Sequence, residues 1–187
     1  MKSVPNILSI FRICLVPIFV LAYFLQPGDI KYFALIVFIT AGVSDFFDGF
    51  IARRYSAQSS LGKVLDPLGD KLMTFTVLIC LAVTMPVLIW AVLVFFVKEA
   101  LMGIGGLVIH KMVRIELPPA NIFGKVSTFV FFVACATLIL FQQVIPEYVV
   151  NIIIAGAIAL TLFAFATYIK LYAKTMKTRP KKENGDK

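Results

Sequence analysis

Asp45, Asp48, Asp66 and Asp70 form the densest group of ionisable side chains in a sequence that contains only ten Asp and Glu residues in total. On a helix, Asp45 and Asp48 stand about 60° apart and Asp66 and Asp70 about 40° apart, so each pair faces one direction. If the two segments meet, four carboxylates converge. Hard oxygen donors in that arrangement suit magnesium or manganese, and two divalent ions would balance the four charges. Ions held this way can grip a phosphate.

The residues between the two pairs fit a phosphate-bearing ligand. Gly49 and Ala52 are small and let a ligand approach the backbone. Arg53 offers a bidentate fork to phosphate. Gly62 allows the chain to turn back before Asp66, and Pro67 fits the first turn of a helix, which would put Asp66 near that helix's start. Two plainer readings compete: interfacial charges that anchor helix ends, or acids lining a cation or proton path, as in a transporter. Neither accounts for the interleaved small residues and arginine. A transporter also places such acids near mid-membrane, often on repeat-related helices.

The elements that must position this cluster belong to a membrane. Of 187 residues, 60% are hydrophobic and 15% charged, and the mean hydropathy is +0.96. That is too little polar surface for a water-soluble domain. Charges are costly in such a setting, roughly +2.5 to +3.5 kcal/mol each at a helix centre. Four unpaired carboxylates would therefore cost on the order of 10 kcal/mol if deep, so they require compensation or an interfacial position. Net charge is +8, which in a lipid-embedded chain points to phosphates and anionic headgroups as partners and not to nucleic acid.

The predicted fold class is all-α, a polytopic membrane protein with six transmembrane helices. The spans fall at 7–26, 31–55, 63–84, 86–110, 121–143 and 146–173, each near the ~20 residues that a bilayer requires. Gln26-Pro27-Gly28-Asp29, Thr84-Met85-Pro86, Leu117-Pro118-Pro119 and the run from Gln142 to Pro146 supply the breaks. Arg53, Arg54, Lys63, Lys111, Arg114 and the basic tail lie on one side, against Lys31 on the other. That bias places both termini and the acidic cluster in the cytoplasm. Residues 1–177 would be the membrane domain, and 178–187 a polar, basic, disordered tail. Lys2 precedes an apolar stretch, but Arg12 and Pro17 interrupt it and no cleavage site follows, so it is expected to be a retained first helix. Cys14, Cys80 and Cys135 are expected to be small buried hydrophobes. Gly103, Gly105 and Gly106 suggest helix packing and not a phosphate loop.

The run Asp45-x-x-Asp48-Gly49-x-x-Ala52-Arg53, eight residues, then Gly62-x-x-x-Asp66-x-x-x-Asp70 resembles the signature of the CDP-alcohol phosphotransferase family. All eight defining positions match with the family's spacing, and the six-helix layout matches too. The resemblance implies an enzyme that moves a phosphatidyl or related group from a CDP-linked donor to an alcohol. It implies that Asp45, Asp48, Asp66 and Asp70 hold two magnesium or manganese ions and that Asp70 is the base on the acceptor hydroxyl. It further implies that Gly49, Ala52, Arg53 and Gly62 form the CDP-donor site, and that the protein is a homodimer in the bacterial cytoplasmic membrane.

The segment Pro5-Asn6-Ile7-Leu8-Ser9-Ile10-Phe11-Arg12 resembles members that use CDP-diacylglycerol. The leading expectation is glycerol-3-phosphate as acceptor, with release of CMP; phosphatidylglycerol and inositol phosphate are alternatives. A dianionic acceptor calls for a basic pocket, and the candidates are Arg12, Lys98, Arg114 and Lys125. Arg12 sits in an apolar helix and needs a partner, either a phosphate or one of the carboxylates, unless it snorkels to the surface. Lys98 could instead pair with nearby acids, while Arg114 and Lys125 could be interfacial anchors. Ser127, where a second lysine is common in similar enzymes, and Gly106, where an arginine is expected, thin the charge of this pocket.

Overall fold

The computed structural model describes residues 4–26, 31–55, 62–113 and 122–177, with side-chain surroundings for 8–26, 31–46, 69–105 and 122–170. These residues form six α-helices: α1 Val4–Leu25, α2 Tyr32–Tyr55, α3 Gly62–Thr84, α4 Ile89–Val113, α5 Ile122–Phe141 and α6 Glu147–Lys177. A short 3-10 turn, Pro86–Leu88, leads into α4, with Pro86 in its first turn, where a missing N–H leaves no bond unmade. No strand occurs among the described residues.

Four of these helices contain segments long and apolar enough to cross a bilayer: Leu8–Leu25, Pro86–Gly105 with its leading turn, Ile122–Phe141 and Glu147–Lys170. A shorter apolar stretch covers Tyr32–Phe46. Large apolar side chains cover the outside, among them Leu25, Phe33, Phe129 and Ile152. Such a surface is stable only against lipid tails, and the protein is an integral membrane protein. Hydroxyls answer the same lack of water by bonding back one turn. Thr74 donates to the Asp70 carbonyl and Thr161 to that of Ala157.

α1 packs against both α2 and α3, and α5 against α6. Helical spacing sets the inward faces. Leu15, Phe19 and Tyr23 recur every fourth residue on α1, and Phe131, Cys135, Leu138 and Ile139 follow the same rhythm on α5. Aromatic rings join the helices: Phe38 stacks on Phe132 with centroids 4.3 Å apart, and Phe95 on Phe131 at 5.1 Å. Gly42 makes the first of these stacks fit. A Cβ at Gly42 would lie 2.5 Å from Phe132 Cε2, so only glycine lets α5 come this close to α2.

One end of the bundle is tied by polar contacts. Tyr23 Oη donates to Gln142 Oε1 at 2.7 Å and lies 2.7 Å from Thr84 Oγ1, joining the C-terminal ends of α1, α3 and α5. Trp90 Nε1 donates to Asn151 Oδ1 at 3.1 Å, joining α4 to α6. Gln26 Oε1 accepts from the Phe33 N–H at 2.9 Å and so satisfies a donor in the first turn of α2. Arg12, Asp45 and Asp70 gather at the other end. On α1, Arg12 stands eleven residues before Tyr23, about 16 Å along the axis.

Three sequence expectations change. Cys80 and Cys135 are buried, but Cys14 faces outward, because it sits about 200° around the helix from buried Arg12. A Cβ added at Gly103 or Gly105 would meet nothing within 4 Å, so among the described residues no other helix packs there. α3 begins at Gly62, which puts Asp66 in its second turn. Pro67 removes one backbone bond, and the rest of this helix carries the loss. Lys2, Gly106 and the 178–187 tail lie outside the residues with described surroundings.

Candidate active site

Arg12 organises the polar end. It is 1% exposed and is the only charged residue of α1, and its Nη1 lies 2.9 Å from Asp45 Oδ1 on α2. A buried guanidinium without a carboxylate would be prohibitive, so this pair fixes where α2 sits against α1. Of the two partners the sequence allows for Arg12, a phosphate or an aspartate, the structure supplies the aspartate. The Asp45 side chain remains 46% exposed, so its carboxylate is held by the arginine and still reachable from outside.

α3 approaches the same arginine from another direction. A Cβ at Gly69 would stand 3.5 Å from the Ser9 carbonyl oxygen and 3.7 Å from Arg12 Cδ. The α3 backbone therefore rests almost directly on α1, and Asp70 follows in the next position. Arg12 is thus the shared neighbour through which α2 and α3 bring Asp45 and Asp70 to one end of the bundle.

Asp70 also lines a cavity of about 180 Å³ between the helices, together with Lys71, Lys98, Glu99 and Thr128. One water needs only ~10–15 Å³ on this scale, so a small polar molecule fits. The deeper wall is apolar, formed by rings such as Phe95 and Phe131. Among its lining side chains Glu99 bridges two cations. Its Oε1 lies 2.5 Å from Lys98 Nζ and its Oε2 lies 2.7 Å from Lys71 Nζ. Lys98 also sits 5.4 Å from the Phe95 ring centroid, close enough for a cation–π contact.

The backbone places the other sequence candidates. Continuous helix through Tyr55 sets positions 45, 48, 49 and 52 within an arc of about 100°. On α3, Gly62, Asp66 and Asp70 follow one another on successive turns. The side chains of Asp48, Gly49, Ala52, Arg53, Gly62 and Asp66 lie outside the described residues, and Arg114 lies outside them altogether. Lys125 is exposed on the first turns of α5 and is not part of the cavity wall. The structure brings Asp70 and Lys98 to the lining of one cavity, and Arg12 to Asp45.

Sequence reasoning missed Lys71. A lysine directly after Asp70 is visible, but its bond to Glu99 spans two helices and no local spacing announces it. The usable signal was Glu99 itself, an acid in an apolar run that needs positive neighbours.

Comparison with known proteins agrees with this geometry. The family model for CDP-alcohol phosphatidyltransferase matches residues 2–167. A Rickettsia felis protein is 33% identical over 172 residues, 92% of this chain and 93% of its own length; it carries the name CDP-diacylglycerol–glycerol-3-phosphate 3-phosphatidyltransferase. Proteins of the same name from Rickettsia typhi and Shigella flexneri are 32% and 28% identical, over 92% and 89% of this chain and 95% and 93% of their own lengths. A polar end built around aspartates at the signature spacing, on helices that match nearly end to end, makes this chain a member of the CDP-alcohol phosphatidyltransferase family.

Proposed function

We propose that this transferase moves the phosphatidyl group of CDP-diacylglycerol to glycerol-3-phosphate and releases CMP. The observation that carries the reading is the cavity that Asp70 and Lys98 both line: a carboxylate to receive a proton and a cation to receive a phosphate. The name shared by relatives that match this chain nearly end to end supports the same donor and acceptor.

In this reading the acceptor's hydroxyl oxygen attacks the phosphorus that bears the diacylglycerol. The bond from that phosphorus to the oxygen bridging it to CMP breaks, CMP leaves with that oxygen, and the hydroxyl proton passes to Asp70. Positioning and charge neutralisation do most of the work in such a transfer. The stretch from Gly49 to Arg53, with Gly62, receives the CDP portion, small residues admitting it and the arginine facing its phosphates. Asp45, Asp48, Asp66 and Asp70 are a hard-oxygen donor set that fits two magnesium or manganese ions, and the half-exposed Asp45 carboxylate suits that use. Bound there, the ions would neutralise phosphate charge.

The same reading has six spans with both termini and the active site on the cytoplasmic side of the bacterial membrane. The excess of Lys and Arg in the connections on that side supports it. Assembly as a homodimer belongs to it as well, on the strength of the family resemblance alone.

The test is Asp70→Asn, with two readouts on purified protein in magnesium: CMP release in the presence of both substrates, and binding of CDP-diacylglycerol. Turnover should fall by at least about a hundredfold, the scale of general-base catalysis, while donor binding persists. Turnover close to wild type would refute the role given to Asp70.

A further inference from the structure

Two features lie apart from the chemistry described so far and a third extends it. The apolar groove at Ile79, Val83, Pro86 and Leu93 faces lipid, with nothing to say what else covers it. The Tyr23–Thr84–Gln142 contact ties helix ends together. The third is the bridge Lys71–Glu99–Lys98, and it carries an inference that rests on the function proposed above.

We infer that Lys71 and Lys98, held as a pair by Glu99, form the seat for the acceptor's phosphate, with Glu99 as a positioning residue and Lys71 as a contact residue. Geometry comes first. All three side chains line the same cavity as Asp70, so a phosphate at the lysines leaves the rest of a short polyol within reach of the carboxylate that takes its proton. The two ammonium groups come from different helices, α3 and α4, and Glu99 reaches each with a separate oxygen, at 2.7 and 2.5 Å. Both cations are thereby held against one carboxylate in place of two freely rotating chains.

Charge comes second. Glu99 and Lys98 are largely buried, 10% and 12% exposed, and Lys71 is 37% exposed. One carboxylate serving two ammoniums leaves the bridge at +1. A bridge of that sign in a low-dielectric wall favours a bound anion, and a phosphate supplies one. A helix-to-helix strut alone would need only one lysine. Partial exposure of Lys71 fits a group that must meet a ligand arriving from water, while buried Lys98 and Glu99 hold its position.

The experiment is steady-state kinetics on the purified full-length protein, varying glycerol-3-phosphate and CDP-diacylglycerol separately, for wild type, Lys71→Met, Glu99→Gln and Glu99→Asp. Inorganic phosphate is added as an inhibitor competing for the same seat. Lys71→Met should raise the KM for glycerol-3-phosphate about tenfold, equivalent to 1.4 kcal/mol, and leave the KM for CDP-diacylglycerol unchanged. Inhibition by phosphate should weaken in parallel. Glu99→Gln should give the same split, and Glu99→Asp should recover part of the loss. A purely structural bridge predicts equal changes in both KM values, or loss of folded protein in Glu99→Gln with Lys71→Met behaving as wild type; either result overturns the inference. Failure of wild type itself to use glycerol-3-phosphate would instead defeat the acceptor assignment on which the inference rests.

Discussion

Removing the Arg12 charge should expose how the aspartate end is held together. Arg12 Nη1 and Asp45 Oδ1 are 2.9 Å apart. At that separation two unit charges attract by about 1.4 kcal/mol in bulk water and about 5.7 kcal/mol at an effective dielectric of ~20. The arginine is 1% exposed and the aspartate 46%, so the pair falls between those limits, and a coupling of about 2–3 kcal/mol is expected. The assay is a double-mutant cycle on Arg12→Met, Asp45→Asn and the double variant. Unfolding is followed in mixed detergent micelles, with chelator present so that metal binding does not enter. Arg12→Met alone should destabilise, because it removes the guanidinium that holds the Asp45 carboxylate. The double variant should be less destabilised than the sum of the singles by the coupling energy. Additive effects, within about 0.5 kcal/mol, would refute the reasoning, since the pair would then contribute nothing beyond its separate parts.

Two further outcomes follow from packing. Gly42→Val places a Cβ 2.5 Å from the Phe132 ring; it should destabilise by about 1–3 kcal/mol through overpacking and lower turnover by displacing the α2 end that carries Asp45, and unfolding at the wild-type midpoint would contradict the close α2–α5 approach. Tyr23→Phe removes the donor to Gln142 and should cost about 1–2 kcal/mol with KM values unchanged, because this contact lies at the end of the bundle away from the chemistry; a selective loss of substrate binding would contradict that placement.

The apolar runs made the helices legible, and the turn residues between them set most boundaries. The clearest differences are extensions, although α5 ends at Phe141, inside the expected 121–143. α1 begins at Val4, α4 continues to Val113 and α6 to Lys177, each beyond its apolar run, because hydropathy marks where lipid ends and not where backbone hydrogen bonding ends. The aspartate spacing was equally legible, since i,i+3 and i,i+4 positions share a face on any helix. Partners across helices were not. The sequence says that Arg12 needs a counter-charge, but choosing Asp45 requires knowing that α1 wedges between α2 and α3. The Lys71–Glu99 contact is hidden for the same reason, as is the outward turn of Cys14 from a helix whose neighbours were unknown. Gly42 reads as an ordinary small residue until Phe132 is seen against it.

Acceptor competition tests the central claim most directly. Purified protein with CDP-diacylglycerol and magnesium is given glycerol-3-phosphate, phosphatidylglycerol or inositol phosphate, and the lipid product and CMP are measured together. The expected result is one CMP for each phosphatidylglycerophosphate formed, from glycerol-3-phosphate and from neither of the others. Product from phosphatidylglycerol alone would overturn the acceptor, and no CMP release with any alcohol would contradict the transfer itself.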